Sequence, residues 1–319
     1  MNKNIALLAF ALTTGMCAKS DFKVCLIKRD APQKGLIAEL QHLEEQFVYP
    51  FSTTEEFTIK HGIHGDYLAF FKSLGKPYYY IARAKRDKQV VKRINDQDVV
   101  VTQKAGEIAA VVCCVLRNMA TFNGNTKKAW YICDLKVNQN YQGQRLPLFM
   151  LKKIAFWRYL QCPRGFAICM NPAEGDPKVA SIFKKHGPWN IDTHVLNLYS
   201  LSADQMKQHR DTLKKILVDH GYMNAHQELL FVSTHGAKDY EITHTLSQQK
   251  RPWHLLHIHP GEGVQASLDD DATYMICAVE GTALDTSFKT LLCVPSSTAQ
   301  ILSYGMKDID FNYLTSNQI

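Results

Sequence analysis

Two features that would narrow the class of protein are missing from the sequence: a Cys-x-x-Cys motif, and an apolar run long enough to cross a bilayer. Most of the nine cysteines, such as Cys133, Cys169 and Cys277, stand in hydrophobic stretches, where cysteine packs as a small apolar residue. This usage is unlike the disulfide framework of a small secreted domain and predicts a reducing compartment. A bilayer-spanning helix needs about 20 apolar residues, so we predict no stable membrane association.

The chain also has no internal repeat, low-complexity tract or obvious linker, and its charge is nearly balanced. Its 319 residues, 46% hydrophobic and 21% charged, are ordinary for a globular protein with one elaborated or two modest domains. The net charge of +7 comes from scattered clusters such as Lys152-Lys153. We therefore predict no nucleic-acid partner, while the positive balance suits an anionic cofactor.

The first twenty residues have two interpretations. Lys3 precedes an apolar run at residues 5–12, a pattern that short secretory signal peptides share. The other interpretation is a first strand or an added amphipathic segment of a cytoplasmic protein, and we predict the cytoplasm. If residues 1–20 are a signal, the protein is an exported effector.

The most informative stretch is a strand, a turn and a helix in direct succession. An apolar strand at residues 129–137 enters a polar turn at residues 138–145, which opens into a helix. Pro147 suits the first helical position, where its missing N–H has no partner to lose, and Leu151 and Ile154 follow at helical spacing. Because the first turn of a helix presents unpaired N–H groups and the positive end of the dipole, the turn is predicted to bind phosphate.

Strand-like and helix-like segments alternate on both sides of this stretch. Residues 107–117 form a near-continuous apolar run, as expected of a strand buried on both faces, whereas residues 49–64 have a loop-rich composition. A capping box at residues 202–205 opens a second series of helices and strands. The sequence predicts a mixed α/β fold (an α+β mixed sheet), with one domain at residues 21–195 and an α+β domain of unknown role at residues 196–319.

The turn also carries a resemblance to a known family. Residues 137–147, VNQNYQGQRLP, resemble the Gln/Arg-x-x-Gly-x-Gly/Ala signature between a central strand and its helix in the GNAT superfamily of acyl-CoA N-acyltransferases. Gln142 takes the first position, whereas Arg145 stands where glycine is usual and Pro147 where glycine or alanine is usual. The resemblance covers about residues 22–189. It implies a divergent GNAT-like domain, in which two central strands splay apart and acyl-CoA lies between them.

The resemblance implies how the cofactor is held. Backbone amides of the turn would bind the pyrophosphate, helped by the helix dipole, and the preceding strand would pair with the pantetheine arm. The cofactor-binding residues that it implies are Leu135, Val137, Gln142, Gly143, Gln144, Arg145 and Leu146. The implied co-substrate is acetyl-CoA or another acyl-CoA, with no metal. The implied acceptor is an unknown amine on a small molecule or a protein.

The resemblance further implies an N-acyltransferase, most simply an acetyltransferase, in which the amine attacks the bound thioester directly. This chemistry uses a base for the ammonium proton and an acid for the departing thiolate. Asp134 is the candidate base, unless it only shapes the loop, and Tyr131 is the candidate acid, with Tyr141 and Glu107 as weaker alternatives for these roles. Phe183 stands where the family often has a tyrosine acid, so the alternative is an inactive GNAT-fold module that binds acyl-CoA or a protein partner.

The C-terminal part adds two hypotheses. His254, His257 and His259 suggest a metal site, but no third ligand is indicated, and we predict none. Residues 145–147 resemble the corresponding turn of protein N-myristoyltransferases, which have two GNAT-like halves. On that hypothesis residues 196–319 are a degenerate second half that builds the acceptor site, and a second splayed strand pair would support it.

Overall fold

The computed structural model describes residues 21–27, 34–50, 54–94, 96–171, 180–181, 191–262, 267–292 and 294–319; the N-terminal segment 1–20 and Phe183 lie outside these ranges. The strands are β1 (Phe22–Leu26), β2 (Tyr49–Pro50), β3 (Glu55–His61), β4 (Lys76–Ala84), β5 (Lys88–Ile94), β6 (Gln97–Gln103), β7 (Ile108–Ala120), β8 (Thr126–Val137), β9 (Gly165–Met170), β10 (Asp192–Leu201), β11 (Glu228–Ser233), β12 (Lys238–His244), β13 (Lys250–Pro252), β14 (Leu255–Gly261), β15 (Thr273–Val279) and β16 (Ser297–Tyr304). The helices are α1 (Lys34–Glu44), α2 (Ala69–Leu74), α3 (Leu146–Gln161), α4 (Ala203–Asp219) and α5 (Ala283–Leu292), and short 3-10 turns cover Gln139–Tyr141, Phe311–Tyr313 and Ser316–Gln318.

One large mixed sheet dominates the described chain, in the order β1-β4-β7-β8-β9-β16-β10-β15-β14-β11. Its neighbours pair antiparallel except for two parallel pairs, β8 with β9 and β14 with β15. The predicted mixed α/β fold is therefore confirmed. The predicted boundary at residues 195 and 196 falls inside β10, a strand of this shared sheet, and the division into two units stays a prediction.

The centre of the sheet follows from the apolar run in the sequence. In β7, the eight residues from Ile108 to Val115 are all buried. A strand covered on both faces needs apolar side chains at every position, which explains why its sequence does not alternate. β7 thus holds β8, the strand before the predicted turn, against a rigid core.

Both parallel strand pairs splay apart after three paired residues. β8 and β9 pair from Trp130 with Gly165 to Ile132 with Ala167, and both strands then continue beyond the pairing. β14 and β15 pair from Leu255 with Thr273 to His257 with Met275, and both also continue. The splay that the GNAT resemblance implies is therefore present, and so is the second splay that the second-half hypothesis requires.

The two splayed pairs occupy equivalent places on either side of the sheet's centre. Going outward from the adjacent strands β16 and β10, one side runs β16-β9-β8-β7 and the other runs β10-β15-β14-β11. Each side thus has one antiparallel strand, then a splayed parallel pair, then a further antiparallel strand. This repeat matches a two-half architecture more closely than two independent units.

Different elements cover the two faces of the large sheet. One face packs against α3 around β7 and β8, and against α4 and α5 around β10 and β15. The opposite face packs against α1, α2, the small sheet β13-β12-β3-β2 and the C-terminal residues 306–319. The small sheet joins the two parts of the chain, because β3 pairs with β12 from Lys238 with His61 to His244 with Glu55.

Two segments with polar sequences form strands. The loop-rich segment contains β3, and the charged interval after β4 forms the β5–β6 hairpin. Within the described residues, no helix combines the length and the apolar character that a membrane span requires.

Candidate active site

A β-bulge in β8 sets the position of Asp134. Val111 pairs with Lys136 and Cys113 pairs with Cys133, so Asp134 and Leu135 together oppose the single residue Val112. The backbone of Asp134 has a φ of +50°, a left-handed conformation that is uncommon for a residue other than glycine. The bulge lies immediately after the last residue pair of β8 with β9, at the mouth of the splay.

The bulge resets the alternation of side chains along β8. Ile132, Leu135 and Val137 pack with the cluster under α3, whereas Tyr131 and Cys133 belong to the opposite face. Without the extra residue, Asp134 would share the face of Ile132. With it, Asp134 and Lys136 lie together on the face of Tyr131, where Lys136 Nζ contacts Asp134 Oδ1.

Asp134 belongs to a buried polar cluster from four elements. Its Oδ2 accepts a hydrogen bond from Tyr79 of β4, and its side chain is 4% exposed. Lys136 Nζ also donates to Glu44 Oε1 of α1 at 2.9 Å. Glu44 Oε1 lies 2.5 Å from His61 Nδ1 and accepts from Tyr67 at 2.8 Å. Of the residues in this cluster, the sequence predicted only Asp134 as a site residue.

Opposite charges keep Glu44 and Lys136 of this cluster ionised. Burial by itself would raise the pKa of Glu44, but the His61 hydrogen bond and the Lys136 charge outweigh it and bring that pKa to about 2. Burial would lower the pKa of Lys136, but Asp134 and Glu44 raise it above its usual value. Burial and the nearby Asp134 carboxylate raise the pKa of Tyr67 and Tyr79. The tyrosines therefore remain neutral donors around two carboxylates and one ammonium.

One trio within the described residues has metal-ligand chemistry and spacing: Glu44, His61 and Asp134 have ligand atoms within 4.8 Å of one another. Lys136 Nζ stands between the two carboxylates, at the position where a cation would neutralise them. The ammonium therefore does the electrostatic work that a metal ion would do there.

The turn after β8 has the geometry of an anion cradle. Gly143 has a φ of +85° and Arg145, the residue before α3, has a φ of +55°. The left-handed conformation at Arg145 explains why glycine is usual at this position, because a side chain there costs about 1–2 kcal/mol. Gln142, Gly143 and Arg145 are exposed, so the turn and the guanidinium face solvent at the start of α3.

The other two nominated turn residues point inward. Leu146 is buried in the cluster under α3 and anchors the start of the helix. Gln144 is half-buried, and its Nε2 atom has no hydrogen-bond partner among the described residues. A buried amide without a partner is costly, so this donor is available to a ligand acceptor at the turn.

Neighbouring segments fix the turn in place. Gln103 Nε2 of β6 donates to the Asn140 carbonyl at 2.6 Å, and Lys92 Nζ of β5 donates to the Gln139 carbonyl at 2.5 Å. Tyr141 OH lies 2.7 Å from Glu107 Oε2. Tyr141 and Glu107, which are the weaker catalytic candidates, thus hold the turn in place.

Tyr131 lies at the closed base of the splay. It pairs with Phe166 across β8 and β9, and the two rings stack with centroids 4.8 Å apart. Burial, then the nearby Cys133 thiol, raises the pKa of Tyr131 well above its usual value, so the phenol is neutral at physiological pH. Leu135 and Val137 lie beyond the last pair with β9, so the β9 side of the β8 backbone is open there for an added strand-like ligand.

The three histidines of the C-terminal part do not converge on one site. His254 is partly exposed and lies 3.2 Å from Asp269, whereas His257 is buried with its Nδ1 2.9 Å from Ser316 Oγ. Burial, then the nearby Lys238 charge, lowers the pKa of His257 to about 3, and burial lowers that of His259. His257 and His259 are therefore neutral side chains on β14, near the second splay.

Sequence reasoning missed Glu44, His61, Tyr79 and Lys136. Glu44 and His61 come from segments far from β8, and only tertiary packing brings them to it. Lys136 did carry a signal, because a lysine two residues after an aspartate in an apolar strand requires a buried partner.

The chain is similar to few known proteins in sequence and to several in structure. No protein-family model matches it. The uncharacterized protein L340 of Acanthamoeba polyphaga mimivirus is 21% identical over 267 residues, covering 80% of this chain and 68% of that protein. Saccharomyces cerevisiae N-myristoyltransferase with bound myristoyl-CoA matches 91% of this chain and 84% of its own, at 11% identity and a TM-score of 0.45. A tandem GNAT protein from the clavulanic acid biosynthesis pathway matches 89% of this chain and 98% of its own, at 9% identity and a TM-score of 0.46.

Both structural similarities have TM-scores below 0.5, so the fold is assigned from the strand pairing of the sheet. The chain has a divergent GNAT-like fold because a central parallel pair splays after Ile132, and because β8 leads through a phosphate-type turn into α3. The fold that the turn predicted is confirmed on these features.

Proposed function

We propose that the chain is an acyl-CoA-dependent N-acyltransferase, with acetyl-CoA as the simplest donor and an amine as the acceptor. The observation that carries the proposal is a coincidence in space: the anion cradle at residues 142–146, the open edge of β8 and the buried Asp134 follow one another along one strand and its turn. A pyrophosphate, a pantetheine arm and a thioester would occupy these places in the same order.

Asp134 is our proposed base. The acceptor ammonium must lose a proton before its nitrogen can form a bond to the thioester carbonyl carbon. Asp134 lies at the mouth of the splay and accepts from Tyr79 and Lys136, so two neighbouring side chains hold its carboxyl group in position. A carboxylate has about four acceptor sites, which leaves room for an amine proton.

The bulge supplies a second element of the proposed mechanism. Its extra residue is out of step with the β7 ladder, so backbone polar groups there are released from strand pairing. A backbone N–H directed at the thioester oxygen would stabilise the charge that develops as the carbon–nitrogen bond forms and the carbon–sulfur bond breaks.

Tyr131 is our proposed partner for the departing sulfur. Its raised pKa makes the phenol a neutral hydrogen-bond donor and a reluctant proton source. A free thiol has a pKa of about 8.5, so a hydrogen bond suffices to stabilise the thiolate near neutral pH. We place the reaction in the cytoplasm, where coenzyme A is available.

We further propose that the second part of the chain builds the acceptor side. The face that carries Asp134 also holds Lys238 of β12, whose pKa burial, then the Lys136 charge, lowers to about 8. Lys238 contacts the Ile319 carbonyl, so the C-terminal segment reaches the same region. An acceptor approaching Asp134 on this face would pass groups from both parts of the chain.

Thermal unfolding with acetyl-CoA, followed by a thiol-release assay over a panel of amines, tests the proposal. We expect stabilisation of about 2.7 kcal/mol at a concentration 100 times Kd, and release of free thiol with at least one amine. The alternative is a module that binds acyl-CoA without turnover, and the burial of Asp134, whose side chain is 4% exposed, favours it. Stabilisation without thiol release would select the alternative, and the absence of stabilisation would contradict both.

A further inference from the structure

The β5–β6 hairpin stands apart from both larger sheets. Its strands pair with each other from Lys88 with Gln103 to Ile94 with Gln97, and neither pairs with another strand among the described residues. The hairpin connects the end of β4 to the start of β7. A two-stranded hairpin is at best marginally stable by itself in water. Contacts beyond its own ladder are therefore needed to hold it in place.

The two faces of the hairpin differ in exposure. Val91 and Val100, which pair with each other across the ladder, are 63% and 61% exposed. Lys92, one residue after Val91, is half-buried, and Gln103 is 2% exposed. Because side chains alternate between the faces of a strand, Lys92 and Gln103 lie on the same, covered face.

The covered face meets the 3-10 turn that leads from β8 to the anion cradle. Lys92 Nζ donates to the Gln139 carbonyl at 2.5 Å. Gln103 Nε2 donates to the Asn140 carbonyl at 2.6 Å. The amides of the same two peptide groups donate to Asn138, at 2.9 Å to its Oδ1 and at 2.8 Å to its carbonyl. Since a peptide group is planar, a bond at each end fixes its orientation.

The cradle begins at one of these fixed groups. The Gln139 carbonyl that accepts from Lys92 also accepts from the amide of Gln142, the first cradle residue, at 3.4 Å. Two further cradle residues, Gly143 and Arg145, have left-handed backbones. An uncommon backbone at a residue other than glycine persists only when its surroundings maintain it. The position of Gln139 therefore controls how the chain enters the cradle.

Lys92 differs from the other cations of the hairpin in its partner. Lys88 pairs with Asp21 at 3.3 Å, and Arg93 pairs with Asp96 at 3.5 Å. The partner of Lys92 is the neutral Gln139 carbonyl, which leaves the charge of its ammonium uncompensated by that contact. A positive charge beside the turn favours an anionic ligand in the cradle.

We propose that the β5–β6 hairpin positions the anion cradle for acyl-CoA, with Lys92 and Gln103 as positioning residues that act through the 3-10 turn. The inference rests on the proposed function. The hairpin and the ligand stabilise the same conformation of the turn, so each strengthens the other by the same factor. Loss of the Lys92 contact weakens acyl-CoA binding, and bound acyl-CoA stabilises the hairpin.

Calorimetric titration of the full chain and of Lys92→Met with acetyl-CoA tests the proposal. Because a hydrogen bond from a charged donor is lost, we expect the Kd to rise about tenfold. In thiol-release kinetics the KM for acetyl-CoA rises in the same proportion, and kcat stays within about twofold because Asp134 is unchanged. Lys92→Arg, which keeps a charged donor, recovers most of the affinity, and Gln103→Leu weakens binding in the same direction as Lys92→Met.

Arg93→Met is the matched control. It makes the same change in charge one residue later, on the exposed face of β5, and its Kd stays within about twofold of the parent. Hydrogen exchange supplies a readout that a purely structural role would not move. Acetyl-CoA slows exchange of the amides at residues 88–94 and 97–103 in the parent and in Arg93→Met, but not in Lys92→Met.

The outcomes separate this inference from the proposed function. If the parent binds acetyl-CoA and Lys92→Met binds it equally well, or if Arg93→Met loses as much affinity, the role of the hairpin is overturned and the proposed function stands. If the parent does not bind acetyl-CoA, both are overturned.

Discussion

The two splayed strand pairs have the same pairing and different chemistry. β8 and β14 each pair with their parallel neighbour over three residues and then separate from it. β8 carries a bulge that turns Asp134 to the cluster face, whereas β14 pairs with β11 in unbroken register from Gly261 with Glu228 to Leu256 with Ser233. One extra residue therefore separates a strand that presents a carboxylate from a strand that only packs.

The connections after the two strands differ as well. β8 leads through the 142–146 turn into α3, a helix of 16 residues, and so ends at an anion cradle. The described residues between β14 and β15, 262 and 267–272, contain no helix. Without a helix N-terminus there is no row of free amides to hold a phosphate. On the proposed function, acyl-CoA would bind at the first pair, and the second pair would have a structural role.

The largest expected effect comes from substituting asparagine at equivalent positions of β8 and β14. Asp134 lies four residues after the first paired residue of β8, and His259 lies four after that of β14. If Asp134 is the base, Asp134→Asn lowers kcat about 10²–10⁴-fold with a smaller change in KM. His259→Asn changes kcat by less than about twofold. Thiol-release kinetics on the folded variants measure both effects. An unchanged kcat in Asp134→Asn would contradict the role of Asp134 as the base.

Stability gives a second way to separate the regions. Lys136→Met removes the cation between Glu44 and Asp134 and leaves two buried carboxylates without their ammonium, which costs about 3–5 kcal/mol. Lys152→Met, at an exposed position of α3, changes stability by less than about 0.5 kcal/mol. Urea unfolding measures both, and a loss near zero in Lys136→Met would mean that the cluster is not held by charge.

The pH dependence of stability distinguishes the Asp134 cluster, through Glu44, from the second splay, through His257. The pKa of Glu44 is about 2 in the fold against 4.5 ordinarily, so its contribution of about 3 kcal/mol is present above pH 4.5 and is lost as the pH falls toward 2. The pKa of His257 is about 3 against 6.5 ordinarily, so the unfolded chain gains a proton first and stability falls below pH 6.5. His257→Gln flattens the loss between pH 6.5 and 4.5, and Glu44→Gln flattens only the loss below 4.5. Identical profiles for the two variants would contradict this assignment.

The smallest effect is expected at Arg145. Arg145→Gly relieves a left-handed backbone and stabilises the fold by about 1 kcal/mol. The same change removes the guanidinium from the cradle and weakens acetyl-CoA binding about tenfold. Calorimetry with acetyl-CoA and thermal unfolding measure the two effects, and a change of the same sign in both would contradict the role given to Arg145.

Local sequence predicted the parts of this molecule that depend on neighbouring residues. The apolar run of β7, the turn before α3 and Pro147 in its first turn carry their own signals, because burial and helix capping act over a few positions. β3 was missed because its sequence, EEFTIKH, has only two apolar residues, and its partner strand β12 lies about 180 residues later in the chain. The bulge at Asp134 was missed because an extra residue in a strand is visible only against the partner strand.

Hydrogen exchange with and without acetyl-CoA tests the central claim most directly. We predict slower exchange of the amides at residues 133–146, covering the bulge, the open edge of β8 and the turn, and no change at residues 256–261 or 274–279 around the second splay. Protection around the second splay, or none around the first, would contradict the assignment of the acyl-CoA site to β8 and α3.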